Sequence, residues 1–171
     1  MGPHARLTLR CRDAAETAAF GGLLALVVEV GDVVLLSGEL GAGKTTLVSG
    51  LVAALGGGAA TSPTFTLCHR YDTAPVVWHA DCWRLADAAE AADLALDEAL
   101  EEGVVVVEWG ELVAPVLGAS ALRVDLAPVP GAPGERVVDC RGPAAWEARL
   151  ERLRARCLER GLAIQAARAA P

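Results

Sequence analysis

The residues from Gly38 to Thr45 have types and spacing suited to binding a nucleoside triphosphate. Their sequence, Gly-Glu-Leu-Gly-Ala-Gly-Lys-Thr, fits the pattern G-x-x-x-x-G-K-[ST] and follows the apolar run at residues 33–36. Glycines let backbone N–H groups approach phosphates closely, and a helix that begins here directs the positive end of its dipole at the anion. We refer to residues 38–45 as the glycine loop.

The predicted nucleotide-binding residues are the loop, the residue after it and two residues further along the chain. They are Gly38, Glu39, Leu40, Gly41, Ala42, Gly43, Lys44, Thr45, Thr46, Thr64 and Trp109. Lys44 would supply charge to the β- and γ-phosphates, and Thr45 would place its hydroxyl on Mg²⁺. Lys44 is the only lysine in the chain, which strengthens this prediction against a chance match by a glycine-rich turn.

Two predicted strands end in the carboxylates that hydrolysis of a nucleotide requires beside the metal or the attacking water. Glu108 follows four consecutive valines, a run typical of a strand covered on both faces of a parallel sheet. Asp81 ends the preceding strand. We predict Lys44, Asp81 and Glu108 as catalytic residues, and Thr45, Glu108 and Asp81 as the Mg²⁺ site. The alternative is that both acids are ordinary charged strand ends.

Three flanking residues carry weaker signals. Thr64 lies in a Ser-Pro-Thr turn, where nucleotide-sensing loops place a hydroxyl, although this is also an ordinary turn sequence. Trp109 either shields the site from water or packs against its neighbours. His79 is more often a core or strand-end histidine than a catalyst.

Composition limits the class of protein. The 171 residues suit one domain, predicted over residues 1–164 and followed by a disordered tail at 165–171. The five cysteines are scattered with no C-x-x-C pair, so neither a disulfide framework nor a zinc site is predicted. No apolar run is long enough to span a bilayer and the first residues lack a signal peptide, so we expect a cytoplasmic protein with no membrane partner.

Net charge and lysine content limit which partners and which nucleotide we expect. The net charge of −7 argues against a protein that grips nucleic acid by its own phosphate contacts. From Arg141 onward seven arginines outnumber three glutamates, a local charge of +4, which indicates either a basic surface or a solvated helix face. Guanine-specific proteins of this class use an Asn/Thr-Lys-x-Asp segment, which a single lysine rules out, so ATP is the predicted nucleotide.

The order of elements predicts an α/β fold. We expect strands at residues 7–11, 33–37, 66–71, 76–84, 104–107, 121–129 and 135–140, and helices at 13–27, 43–55 and 87–102, a short helix before 117, and a final helix. Trp146, Leu150, Leu153 and Cys157 form the apolar stripe of that final helix. The predicted fold is a single phosphate-loop domain with a mixed, largely parallel sheet flanked by helices, and a C-terminal β-hairpin plus helix.

Two other functions stay open at this stage. A small-molecule kinase would use the same loop but needs a lid bearing arginines, whereas the region after Glu108 predicts a short helix and a hairpin in which Arg123 and Arg136 are isolated. A nucleotide-gated binding module without useful hydrolysis is the other alternative.

Four segments in this order resemble the bacterial TsaE (YjeE) family of ATPases, over roughly residues 7–140. They are residues 38–46, Ser-Pro-Thr-Phe-Thr at 62–66, His-Ala-Asp-Cys-Trp-Arg-Leu at 79–85 and Val-Glu-Trp-Gly-Glu at 107–111. The resemblance implies ATP and Mg²⁺ as cofactors and two partner proteins, TsaD and TsaB. TsaD is the enzyme that transfers a threonylcarbamoyl group to tRNA. ATP hydrolysis, slow alone and stimulated by the partners, would reset their complex, with no strong tRNA binding by this chain.

The same resemblance implies a role for each matched residue. Lys44 and the loop amides would hold phosphates, Thr45 and Glu108 would support Mg²⁺, and Asp81 would orient the metal shell or water. Trp83 departs from the family, which usually has tyrosine there, so a role for that hydroxyl is not transferred.

Overall fold

The computed structural model describes residues 5–63 and 65–165, and the strands among them form one sheet with helices packed against it. The strands are β1 (Ala5–Cys11), β2 (Val33–Ser37), β3 (Cys68–Tyr71), β4 (Val76–Asp81), β5 (Gly103–Glu108), β6 (Leu122–Val129), β7 (Ala132–Gly142) and β8 (Ala163–Gln165). The helices are α1 (Ala14–Leu24), α2 (Lys44–Ala54), α3 (Ala88–Ala92), α4 (Leu96–Ala99), α5 (Ala114–Leu117) and α6 (Glu147–Glu159).

The sheet has a parallel centre and antiparallel flanks. Its strand order is β3-β4-β5-β2-β6-β7-β1-β8, and β4, β5, β2 and β6 run parallel to one another. The valines of β5 are fully buried because helices cover both faces of this centre, as the run of valines predicts. The predicted mixed sheet with a C-terminal hairpin (β6 and β7) and a final helix (α6) is therefore confirmed.

Glycines bring α1 and α2 unusually close together, which fixes the helix that follows the glycine loop. A Cβ added to Gly21 would lie 2.0 Å from the carbonyl oxygen of Leu47, and one added to Gly50 would lie 1.9 Å from that of Ala18. No larger residue fits at either crossing point. Asp13 begins α1 by accepting a hydrogen bond from the N–H of Glu16 at 2.8 Å, as the capping pattern predicts.

The predicted acidic helix at residues 87–102 is wrong, because two short helices, α3 and α4, replace it. Asp87 does cap the first of them, accepting from the N–H groups of Ala89 and Glu90. Ala95 then adopts a left-handed conformation with φ 48°, which ends the helical run. Both short helices still contribute to the core, through Ala91 of α3 and through Leu96 and Ala99 of α4.

Strand ends also differ from the prediction near the site. β4 ends at Asp81 rather than at residue 84, because the carboxylate of Asp81 accepts the N–H of Trp83 and turns the chain. β7 begins at Ala132, so the hairpin turn is tighter than predicted.

β8 was not predicted; it pairs with β1 in antiparallel register. Gln165, the first residue of the predicted tail, ends this strand, and residues 166–171 lie outside the described part of the chain. The predicted stripe of the final helix is confirmed: Trp146, Leu150, Leu153 and Cys157 are all buried. Among the residues described, no helix has the length and apolarity needed to cross a membrane.

Candidate functional site

The glycine loop joins the central strand β2 to α2, and three of its glycines have a positive φ. Gly38, Gly41 and Gly43 have φ values of 144°, 78° and 105°. A Cβ on Gly38 would lie 2.4 Å from the carbonyl oxygen of Leu126, so glycine is required there by space as well as by conformation. The unusual dihedrals expected of these glycines are therefore present, and their approach to phosphates stays a prediction.

Lys44 is the first residue of α2 and is only 5% exposed. Its Nζ donates hydrogen bonds to the carbonyl oxygens of Gly38 at 2.7 Å and Glu39 at 3.0 Å, and lies 4.0 Å from the centroid of the Trp109 ring. Burial lowers the pKa of this ammonium below its ordinary value, and the nearby carboxylates of Glu108 and Asp81 partly offset that effect. The loop thus encloses its own positive charge.

Glu108 ends β5 with a carboxylate that is 3% exposed and accepts two hydrogen bonds at one oxygen. The Thr45 hydroxyl donates to its Oε1 at 2.8 Å, and Nε2 of His79 lies 2.8 Å from the same atom. Since a carboxylate accepts, Nε2 carries the proton in this pair. Thr45 and Glu108, both predicted metal ligands, are therefore in direct contact.

His79 is fully buried in β4, and its second ring nitrogen, Nδ1, has no hydrogen-bond partner among the described residues. The imidazole packs beside the Tyr71 ring, with the two centroids 6.4 Å apart. Leaving a buried polar atom unpaired costs free energy. Within the described part of the chain, the one polar contact of this side chain is with Glu108, so the sequence-based view of His79 as a satisfied core residue is incomplete.

Asp81 lies directly beside Glu108 in the parallel register of β4 and β5. It is 5% exposed, and it accepts hydrogen bonds from the hydroxyl of Ser62 at 3.1 Å and from the N–H of Trp83 at 2.9 Å. The sheet therefore brings both predicted acids to one rim, next to the start of α2. Ser62 lies against this rim, and Thr64 lies outside the described residues.

Two tryptophans form one wall of the site. Trp109 adopts a left-handed backbone conformation with φ 57°, and its N–H donates to the carbonyl oxygen of Leu36 at 3.0 Å. Its ring centroid lies 4.4 Å from that of Trp83 and beside Lys44. Trp83 contributes its ring to this wall and donates its backbone N–H to Asp81.

A cavity of about 420 Å³ opens between the loop, the acids and the tryptophans. It is lined by Leu40, Gly41, Ala42, Gly43, Lys44, Thr45, Thr46, Ser62, Asp81, Trp83, Arg84, Glu108 and Trp109. Most of the predicted site residues therefore share one cavity. In the described part of the chain, no group of three or more His, Cys, Asp or Glu side chains is close enough to form a metal cage by itself.

Arg136 on β7 is a contact of the glycine loop that the sequence did not predict. Its Nε donates to the carbonyl oxygen of Ala42 at 3.0 Å and its Nη2 donates to that of Gly41 at 3.1 Å. The interpretation of Arg136 as an isolated arginine was wrong, because the fold places β7 alongside the loop. Nothing in the local sequence signals this long-range contact.

The fold and the site define an α/β protein in which a glycine-rich loop, held between a parallel strand and a helix, faces two buried carboxylates. The family model described as threonylcarbamoyl adenosine biosynthesis protein TsaE matches residues 11–133. The chain belongs to this family.

Relatives and a solved structure agree with this assignment. The tRNA threonylcarbamoyladenosine biosynthesis protein TsaE of Streptomyces coelicolor is 46% identical over 109 residues, covering 61% of this chain and 74% of the relative. The TsaE of Treponema pallidum is 40% identical over 122 residues, covering 69% and 90%. The crystal structure of Bacillus subtilis YdiB matches with a TM-score of 0.76 and 30% identity, covering 91% of this chain and 99% of that one.

Proposed function

We propose that this protein binds and hydrolyses ATP to support threonylcarbamoyladenosine modification of tRNA, with TsaD and TsaB as partner proteins. Family membership supports the pathway, since the relatives from Streptomyces coelicolor and Treponema pallidum carry it in their names. The observation that carries the ATP part is the convergence of Lys44, Thr45 and Glu108 beside the glycine loop. These are the charge, hydroxyl and carboxylate that a magnesium-bound triphosphate requires.

The oxygen donors of the site fit Mg²⁺. The Thr45 hydroxyl and the Glu108 carboxylate are hard ligands of the kind Mg²⁺ prefers, and they already meet at one point. Mg²⁺ usually keeps waters and phosphate oxygens in its shell, which suits a site without a protein cage among the described residues. Bound there, the ion would neutralise charge that develops on the β- and γ-phosphates.

The chain's own residues would divide the remaining work. Lys44 would exchange the carbonyl oxygens of Gly38 and Glu39 for phosphate oxygens. His79 holds the carboxylate of Glu108 in place from inside the core. Asp81 keeps its position through Ser62 and the Trp83 N–H, and either it or Glu108 would orient the attacking water.

The surface around the cavity supports protein partners rather than direct tRNA binding. Leu40, Phe65 and Trp83 are large apolar side chains that are 82%, 88% and 53% exposed near its mouth. Such a group of apolar side chains marks a protein interaction site. The net charge of −7 opposes binding to an RNA backbone, so TsaD and TsaB are the proposed partners. The proposed location of this activity is the cytoplasm.

Reconstitution tests the proposal. The purified protein is combined with its cognate TsaD and TsaB, tRNA and an activated threonylcarbamoyl donor, with Mg²⁺ and either ATP or a non-hydrolysable ATP analogue. We expect phosphate release to rise when the partners are added. We also expect modification to continue over many turnovers with ATP but not with the analogue. Absence of any ATP-dependent gain would contradict the proposal.

The same assay separates the two alternatives. A binding module without useful hydrolysis would sustain modification equally well with the analogue. A small-molecule kinase would transfer the phosphate to an added metabolite instead of to water, and the labelled acceptor would reveal it.

A further inference from the structure

We propose that Arg136 is a positioning residue of the glycine loop, one that holds the outer side of the loop so that its inner side can receive the phosphates of a nucleotide. This inference rests on the proposed nucleotide binding. The family match ends at residue 133, so it assigns no role to Arg136.

The guanidinium group of Arg136 is fixed by three carbonyl oxygens of the backbone. Nε and Nη2 donate to Ala42 and Gly41 of the loop at 3.0 Å and 3.1 Å, and Nη1 donates to the carbonyl oxygen of Glu135 at 2.8 Å. The planar fork thus joins β7 to two consecutive peptide groups of the loop. A lysine in this position could not reach both in one plane.

Because a peptide group is planar, fixing its carbonyl on the outer side of the loop also orients its N–H on the inner side. In a trans peptide the carbonyl and the N–H point in opposite directions. Holding the carbonyl of Ala42 therefore turns the N–H of Gly43 away from Arg136. Gly43 has φ 105° and precedes α2, so its backbone restricts the orientation of this peptide group less than that of another residue would. Arg136 supplies a restraint that the glycine itself lacks.

The charge of Arg136 also acts on the loop. Among the ion pairs of the described residues, Arg136 has none, whereas Arg10 pairs with Glu135 and Arg141 pairs with Asp125 and Asp139. An unneutralised guanidinium beside the loop favours an anion on its other side. Both effects, orientation and charge, strengthen binding of phosphates.

The test compares three variants that differ in what they retain. Arg136→Met keeps the apolar stem, Arg136→Lys keeps the charge without the fork, and Arg123→Met is the matched control. Arg123 is an exposed arginine on the neighbouring strand β6, without an ion pair in the part of the chain described here. Arg123 is exposed whereas Arg136 is partly buried, so the control matches the loss of charge and not the burial, and of the two sites Arg136 is the one that contacts the loop.

The readouts are the dissociation constant for Mg·ATP and the rise in melting temperature that Mg·ATP produces, both of which report binding without hydrolysis. Hydrogen bonds to a charged group are strong enough that Arg136→Met should weaken binding about tenfold or more. Arg136→Lys should fall between this variant and wild type, and Arg123→Met should stay within about twofold of wild type, because it leaves the loop contacts in place.

Each other outcome overturns the inference. If Arg136→Met lowers the melting temperature of the free protein yet binds Mg·ATP as the Arg123→Met control does, Arg136 only stabilises the fold. If neither Arg136 variant folds at 25 °C, the contact serves folding rather than binding. If wild type itself fails to bind Mg·ATP, the proposed function fails first, and the two failures are thereby distinguished.

Discussion

At the carboxyl ends of β4 and β5, the acids Asp81 and Glu108 are buried together with Lys44. On β6 and β7, charged side chains also form ion pairs at the surface: Arg141 contacts Asp125 and is 51% exposed. Burial of charge costs free energy unless a partner compensates it, whereas exposed ion pairs contribute little in either direction. The parallel centre therefore carries charges that folding alone does not favour.

The same contrast is visible in how the charges are partnered. In the antiparallel flank, carboxylates meet arginines on neighbouring strands, as Asp139 does with Arg6 at 2.8 Å. In the parallel centre, the partners of the charged groups are mostly hydroxyls, peptide groups and aromatic rings. An arrangement that leaves charge uncompensated in the core is expected where a charged ligand supplies the compensation.

The largest predicted effect follows from removing the buried ammonium. Lys44→Ala should lower ATP hydrolysis about a hundredfold or more, because no other group replaces its charge at the phosphates. Its melting temperature should stay near that of wild type, since a charge that burial already disfavours is lost with it. Phosphate release measures the rate of hydrolysis, and thermal melting measures the stability of the variant. If Lys44→Ala hydrolysed ATP at the wild-type rate, the buried charge of the parallel centre would have no role in activity and would not differ in this respect from the exposed charges of the flank.

Glu108→Gln tests the proposed Mg²⁺ site while keeping the shape of the side chain. The amide oxygen can still accept from Thr45 and His79, so the fold should persist, but the negative charge for Mg²⁺ is gone. We expect the rate of hydrolysis to fall about a hundredfold. Binding of ATP without Mg²⁺ should be unchanged, and equal loss of binding with and without the ion would show that the change acts elsewhere.

His79→Leu should separate activity from stability. It removes the N–H that holds Glu108 and also the unpaired Nδ1, so hydrolysis should fall about tenfold while the melting temperature stays equal or rises. Steady-state kinetics and thermal melting are the measurements. Partial rescue by His79→Gln, which keeps a donor, is expected, and a loss of melting temperature without loss of activity would identify a core residue only.

Alkaline pH should destabilise the protein through its buried thiols. Burial raises the pKa from the ordinary value of 9.0 to about 11 for Cys11, Cys68 and Cys82, to about 12 for Cys157, and well above 9.0 for Cys140. Between pH 9 and 11 the unfolded chain therefore loses protons that the folded chain keeps, so the free energy of unfolding falls as pH rises. The lowered pKa of Lys44 has the opposite effect on the free energy of unfolding, but this is one group against five thiols.

Urea unfolding at pH 8 and pH 10 measures this fall in stability. Replacing Cys157 with alanine should make the fall with pH shallower. A free energy of unfolding that stays constant over this range would show that the thiols ionise equally in both states.

The smallest effect is expected for the exposed network. Arg141→Ala removes contacts to Asp125 and Asp139 at the surface and should change the free energy of unfolding by less than about 1 kcal/mol. Hydrolysis should not change, because these side chains lie away from the cavity. A large loss of activity would mean that the antiparallel flank also serves the site.

Sequence patterns correctly predicted the strands and helices that are stabilised by interactions of the residues in the pattern. The valines of β5 and the capping residue Asp13 act through burial and short-range hydrogen bonds, so their elements lie where expected. The predicted helix at 87–102 was wrong because Ala95 adopts a left-handed conformation between α3 and α4, which an alanine in the sequence does not signal. The sequence did not predict β8, because this strand is three residues long and is stabilised by pairing with β1.

For the site, the sequence alone determined the glycine loop, its lysine and threonine, and the two acids that follow buried strands. These features are encoded within a few residues each, and parallel strands bring their ends to one rim. Only the tertiary structure decided that His79 holds Glu108, that Ser62 holds Asp81 and that Arg136 holds the loop from β7. Such contacts join residues as far as 94 positions apart, and no local pattern encodes a pairing that depends on how the whole sheet is ordered.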